Sequence, residues 1–399
     1  MKKRKTLKIL AGLTLALLLM YGVAYVLTPW SQLARALVWL ESGVDDYKLF
    51  PTRIIDNAVS TFYYDQNADT SVYANVFSTI NSQQNDNDII RDVNIFLEST
   101  DTTAFIIIKD DSLLFEMYFN GYDANSTQTS FSIAKSFVSA LIGIAIDEGY
   151  IGSVDDAITK YLPELEERDW RFSRITIKHL LTMSSGIKFV RSFTPWSDDA
   201  LTYYTTDLRA TAFNCEIAEE PGRTFLYNDY NPILLGIILE RVTGQSVSQY
   251  LEQKIWQPLG MEAPGSWSLD SNQNNFEKMA SGINGRAIDF AKFGSLYLNK
   301  GNWNGQQIIP SVWVEESTKP DTTSDPAEYY QYLWWITSWE IKPGDIHYRY
   351  VAVGDHGQYI HIFPDQRIVF VRFGKSNGGV EWGPVFESIA EEIRKIEGK

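Results

Sequence analysis

The chain has 399 residues, 44% of them hydrophobic and 14% aromatic, and a formal net charge of −15. That suffices for one large core or two interleaved ones, and the acidic balance excludes nucleic acid or an anionic membrane surface as the main partner. A single cysteine, Cys215, excludes an intrachain disulfide, and four histidines without paired spacing give no expectation of a metal; nothing calls for a cofactor.

The N-terminus carries Lys2, Lys3, Arg4, Lys5 and Lys8, followed by an uncharged apolar run over residues 9–27. A run of about 20 apolar residues spans a bilayer, whereas a signal-peptide core is shorter. The expectation is an anchor over 1–29 that is retained, although Gly22-Val23-Ala24 or Ala34-Arg35-Ala36 would serve as a cleavage site. The basic cluster should stay in the cytoplasm. The body is then exported to the periplasmic side of the cytoplasmic membrane.

Residues 30–95 read as a juxtamembrane linker and lead-in, with 66–92 a polar loop rich in Asn, Asp, Gln and Ser. From residue 96 onward the patterns are those of one domain. Residues 104–108 and 113–119 flank a Lys-Asp-Asp-Ser turn and read as a hairpin. An apolar run over 137–145 follows and reads as a helix. The spacing predicts further helices over 232–242, 248–255 and 287–298, then strands over 348–353, 359–363 and 367–373 and a closing helix over 385–396. Strands at both ends around a helical middle predict an α+β fold, with one antiparallel sheet built from both chain ends and a mostly helical subdomain inserted.

The chemistry centres on Ser132-Ile133-Ala134-Lys135, at the head of the 137–145 helix. Serine and lysine at i and i+3 share a helix face. A serine needs a neighbouring base before it can attack a carbonyl, and a helix N-terminus offers unpaired N–H groups to an oxyanion. The tetrapeptide alone equally describes an N-cap serine followed by a solvated lysine. A second copy, Ser185-Gly186-Ile187-Lys188, contains a glycine that disfavours a shared helical face and reads as a decoy.

Six blocks give Ser132 a context: FSIAKSFVSALIGIAIDEGYIGSVDDAITKYLPEL, ITIKHLLTMSSGI, PGRTFLYNDYNPILLGIILERVTG, IWQPLGM, GRAIDFAKFG and GDHGQYIHIFPDQRIVFV. In this order they resemble the serine beta-lactamase and penicillin-binding-protein superfamily, in the branch containing class C beta-lactamases, DD-peptidase-like esterases and 6-aminohexanoate-dimer hydrolase. The resemblance implies the beta-lactamase/transpeptidase-like fold, Ser132 and Lys135 as the Ser-x-x-Lys pair, and Tyr227 as the tyrosine of a Tyr-x-Asn element. Tyr-x-Asn also occurs at Tyr73, Tyr118 and Tyr297, so the flanking block selects Tyr227.

Two departures stand out. The chain reads Tyr227-Asn228-Asp229, with a carboxylate where the family has an amide. A carboxylate accepts but cannot donate to a substrate carbonyl. Asp229 would pair with Lys135 instead, leave Asn228 or Asn231 to supply the amide, or be a solvated loop aspartate. No Lys-Thr-Gly occurs, and the matching stretch is Gly354-Asp355-His356-Gly357-Gln358. There a backbone N–H near Gly357 or Gln358 would be the second oxyanion donor beside that of Ser132, and His356 either faces the pocket or is structural.

The implied activity is hydrolysis of an ester or amide through a Ser132 acyl-enzyme, without metal or cofactor. Either Lys135 acts as base, if burial lowers its pKa, or it stays a cation and activates the Tyr227 phenol. The substrate expected is a small ester or short amide. The alternatives are a penicillin-interactive DD-peptidase or beta-lactamase, and a membrane-tethered binding protein without turnover. Trp196, Trp334, Trp335, Trp339, Tyr203, Tyr204, Tyr330 and Tyr332 lie in loop-like regions between the motifs and would line an acyl pocket or pack a core.

Overall fold

The computed structural model describes residues 2–65, 80–81, 89–90, 93–192, 194–319, 327–342 and 345–398; the side chains of 338–347 are not described. Most of the polar loop expected over 66–92, and the Trp339 side chain, therefore lie outside the described residues.

Helix α1 (Lys2–Leu27) is long and apolar enough over Lys5–Leu27 to cross a membrane, and none of that stretch is buried. A single 3₁₀ turn leads into α2 (Gln32–Trp39), capped by Ser31. Strand β1 (Thr52–Ile55) follows. The hairpin β2 (Thr102–Lys109) and β3 (Ser112–Tyr118) runs through the short β4 (Gln128–Thr129) into the Phe131–Ile133 3₁₀ turn and helix α3 (Ala134–Asp147). The middle carries α4 (Asp198–Tyr204), α5 (Tyr230–Thr243), β5 (Gly265–Ser268), β6 (Ile283–Gly285) and α6 (Ala287–Leu298). Strands β7 (Tyr330–Gln331), β8 (Trp334–Lys342), β9 (Asp345–Gly354), β10 (Gln358–Phe363) and β11 (Ile368–Gly374) precede α7 (Trp382–Ile396).

The main sheet has seven antiparallel strands in the order β7-β8-β9-β10-β11-β2-β3. It is built from both chain ends because β11 pairs with β2, Phe370 opposite Ile107. Alternation assigns the two faces. Ala104, Ile106, Ile108, Val369 and Val371 face the large core with α3 and α6, while Phe105, Ile107, Ile368 and Phe370 face α7. Both faces are covered, so β2 and β11 read as continuous apolar runs. Helix α3 is buried from Ala134 to Ala145, with Phe137 stacked on Phe293 at 3.6 Å, which explains its apolar sequence on all sides.

Two elements differ from the sequence expectation. Residues 334–342, taken as loop-like, form β8; its aromatics are β formers packed on core neighbours. Part of the 30–95 stretch is built into the domain, since β1 pairs antiparallel with β5 in a second sheet of order β1-β5-β6-β4.

The two ends of the nucleophile-bearing turn are fixed by separate elements. Ser130 N–H donates to the Ile283 carbonyl and Ile283 N–H to Ser130 Oγ. On the other side β9 runs so close that a Cβ on Gly354 would strike the Ser130 carbonyl oxygen. Gly354→Ala should therefore lower stability by about 1–3 kcal/mol through overpacking. Gly383→Ala in α7, where nothing lies within 4 Å, should leave stability unchanged or raise it slightly. Denaturant unfolding in detergent compares the two; equal midpoints would mean the turn can move away from β9.

Candidate active site

Ser132 sits in the 3₁₀ turn, one residue ahead of Ile133, the N-cap of α3, so the turn and helix together place Lys135 above it. Lys135 Nζ donates to Ser132 Oγ at 2.9 Å and to the Ala280 carbonyl at 2.9 Å, and lies 2.9 Å from Asp229 Oδ1. It is also 4.8 Å from the centre of the Tyr227 ring. Only 1% of Lys135 is exposed. Burial would push its ammonium down, but Asp229 and Tyr227 outweigh that cost and hold it above the ordinary lysine value. At neutral pH Lys135 is a buried cation.

Asp229 enters just before α5, and it lines a small cleft with Phe131, Ser132, Tyr203, Lys278 and Asp355. Asn228 and Asn231 do not reach this cleft with their amides. Asn228 donates to the Ile187 carbonyl and accepts from Tyr230 N–H, and Asn231 accepts from Ser185 Oγ. Both are buried supports of the loop around Met183. The second Ser-x-x-Lys copy is taken apart by the same contacts: Ser185 bonds Asn231, Gly186 adopts φ +72°, and Lys188 pairs with Glu216.

The opposite wall is the turn from β9 to β10. His356 and Gly357 both have positive φ, +61° and +75°. Buried Arg372 donates to the Gly357 carbonyl at 2.5 Å and to the Thr100 and Ser376 carbonyls. Gln358 is 1% exposed, and its side chain bridges the Asp355 carbonyl to both backbone groups of Gly374. Its amide therefore braces the turn from behind. His356 Nε2 lies 2.9 Å from the Ser42 carbonyl and its ring 5.1 Å from Phe131. A carbonyl only accepts, so Nε2 carries a proton and the ring ties the turn to the segment after α2.

The aromatics divide. Trp335 stacks on Tyr227 at 5.7 Å with Tyr330 edge-on, and Tyr203 lines the cleft. Trp334 and Tyr332 are buried against Tyr297 and Trp313 in the core, Tyr204 packs on Trp39, and Trp196 is exposed.

Lys278 was not singled out by its sequence context, and no spacing signal marks it. Its ammonium donates to the Tyr203 carbonyl between the rings of Phe50 and Tyr203, at 4.2 and 4.3 Å. Burial, with the Arg35 guanidinium nearby, pushes it down to about 7. The cleft thus holds two lysines of opposite tendency. Among the described residues no group of His, Cys, Asp and Glu is arranged to hold a metal ion.

Residues 96–391 match the beta-lactamase family model. A 6-aminohexanoate-dimer hydrolase of Paenarthrobacter ureafaciens is 25% identical over 301 residues, covering 69% of this chain and 73% of that protein. Among solved structures, a protein of Bacillus anthracis proposed to be a 6-aminohexanoate-dimer hydrolase superposes with a TM-score of 0.72 at 22% identity, over 88% of this chain and 92% of the other. The octameric penicillin-binding protein homologue of Pyrococcus abyssi superposes with a TM-score of 0.57 at 21% identity, over 77% of this chain and 76% of the other. With the fold and the match over most of its length, this chain belongs to the beta-lactamase family of hydrolases.

Proposed function

We propose that the protein hydrolyses a small ester or short amide through an acyl-enzyme on Ser132, and that α1 holds it in the cytoplasmic membrane with the cleft on the periplasmic side. The observation that carries the reading is the 2.9 Å contact of Lys135 Nζ with Ser132 Oγ inside a buried pair with Asp229. The name of the Paenarthrobacter relative, an amide hydrolase, agrees with it.

Because Lys135 is held as a cation, it donates to Ser132 Oγ and cannot take its proton. The Tyr227 side chain, beside Lys135, is the acceptor that remains of the expected pair. Tyr227 acts as the phenolate beside the Lys135 cation: as Ser132 Oγ bonds to the substrate carbonyl carbon, its proton passes to the phenolate oxygen and the carbonyl π electrons move onto the carbonyl oxygen. The new oxyanion is met by the Ser132 N–H and a backbone N–H of the Gly357–Gln358 turn. The proton then goes to the departing alcohol or amine as its bond to the acyl carbon breaks. Water repeats the sequence on the acyl-enzyme, releasing the acid and restoring Ser132. Asp229 offers no donor to a substrate amide, which favours esters over the amide pose of penicillins.

Ser132→Ala should reduce turnover of a chromogenic short-chain ester by about a thousand-fold or more, and Tyr227→Phe by about 10²–10⁴-fold, the range for loss of a general base. Stopped assays on the full chain in detergent measure both, with nitrocefin in parallel. Near-normal rates in the serine variant would remove Ser132 from the reaction.

The Asp229–Lys135 pair makes a separate pH prediction. Lys135 is raised in the folded chain, so its contribution to stability and to the protonated site is present below the ordinary lysine value and is lost only above it. Asp229→Asn removes the largest opposing effect and leaves burial to push Lys135 down. The alkaline limb of the pH–rate profile should then move to lower pH by about one unit or more. Superimposed profiles would mean that Lys135 does not titrate with the activity.

A further inference from the structure

Helix α1 ends against the domain rather than on a free tether. The Arg35 side chain, 3% exposed, donates to the Thr28 carbonyl at the end of α1 and to the Tyr204, Thr205 and Asp270 carbonyls of the body. One buried guanidinium therefore fixes the direction in which α1 leaves the domain. The residues around this junction present an apolar face to solvent. Leu33 and Leu37, one turn apart on α2, are 47% and 46% exposed, Leu40 at its C-cap is 71% exposed, and Trp30 is 74% exposed. The opposite positions Ala34, Arg35 and Ala36 are buried, and α2 has no acidic residue. Trp196, 71% exposed, belongs to a loop joined to α2 by Gln32 Nε2 donating to the Pro195 carbonyl at 2.6 Å.

A leucine stripe with flanking tryptophans in the interface layer is the pattern of a helix lying in the membrane plane. What covers this face follows from continuity. A span over Lys5–Leu27 brings Trp30 and α2 to the bilayer surface within a few residues. The same face borders the cleft at two points: Ser42, just after Leu40, bonds His356, and Arg191, in the loop before Trp196, lies 5.8 Å from the Tyr227 ring centre.

We propose that Trp30, Leu33, Leu37, Leu40 and Trp196 form one docking face seated in the interfacial layer of the bilayer that α1 spans, so that the Ser132 cleft opens at that surface and takes an amphiphilic acyl substrate from it. This rests on the anchor and hydrolase readings above, and the test separates them. The full chain is reconstituted in phosphatidylcholine vesicles with and without brominated lipid. Helix α1 contains no tryptophan, so quenching reports the body alone. Trp30→Phe shows whether the anchor holds its end at the membrane, and Trp196→Phe shows whether the docking face is seated. The expected result is that each substitution removes part of the quenching. Quenching that depends on Trp30 and not on Trp196 overturns the docking face, and the absence of both overturns the anchor and the docking face together.

In the same vesicles, Leu33→Ser/Leu37→Ser should slow hydrolysis of a long-chain ester carried in the bilayer by about ten-fold, the order implied by two lost leucine contacts. A soluble short-chain ester should be cleaved at the unaltered rate. Equal loss on both esters, or on neither, overturns delivery from the surface. A wild-type chain inactive on both counts against the hydrolase and against that delivery, and Trp196 quenching then decides the docking face on its own.

Discussion

The site depends on one buried charge. Removing an ammonium from water is costly unless oxygen ligands replace the lost hydration. Lys135 has Ser132 Oγ, the Ala280 carbonyl and Asp229 Oδ1 around it, with the Tyr227 ring on one side. Two of these oxygens are neutral, so the carboxylate decides the protonation state. With an amide at 229, as the family pattern has it, the site would contain a buried lysine with no anion beside it, and burial alone would favour the neutral base. With Asp229 the same geometry keeps the lysine charged.

That geometry must be held from both sides. The α3 helix cannot shift, because it is buried around its circumference from Ala134 to Ala145. In the facing turn His356 sits at positive φ, a conformation that surrounding structure must enforce for a residue other than glycine. Arg372 and Gln358 supply the enforcement by binding carbonyls within the turn and behind it. Burial pushes the Arg372 guanidinium down to about 9, still charged at neutral pH, and it stacks 4.0 Å from Trp382 of α7. The last helix of the chain thus packs against the charge that fixes the cleft wall.

Much of this was legible in the sequence where a pattern is local. The all-apolar runs of β2 and α3, the strand pairs at the end, and the serine and lysine one turn apart are readable because periodicity and spacing report them directly. Even the departure at Asp229 was visible, and its pairing with Lys135 was one of three outcomes that the residues allowed. The roles of Asn228, Asn231 and Gln358 were not readable. An amide written beside Tyr227 looks the same whether it points to substrate or to a loop carbonyl, and only tertiary placement spends it on Ile187. Strand β8 was missed because Trp334, Trp335 and Trp339 suggested a binding loop, whereas aromatic residues are also good strand formers. Lys278 carried no signal at all, since its environment is assembled from Phe50, Tyr203 and Arg35, which are remote from it in the chain.

Those neighbours also show how the N-terminal segment packs behind the cleft wall. The Phe50 ring centre lies 4.2 Å from the Lys278 ammonium, Asp46 accepts from Tyr203 at 2.8 Å, and Ser42 bonds His356. Arg35 and Lys278 are both buried here and repel one another, which weakens the Lys278 ammonium, while Asp46 and Asp270 oppose that effect. Groups so placed cannot be removed singly without leaving an uncompensated charge in the interior. The lead-in between α1 and β1 therefore backs residues that line the cleft, Tyr203 and Lys278 among them.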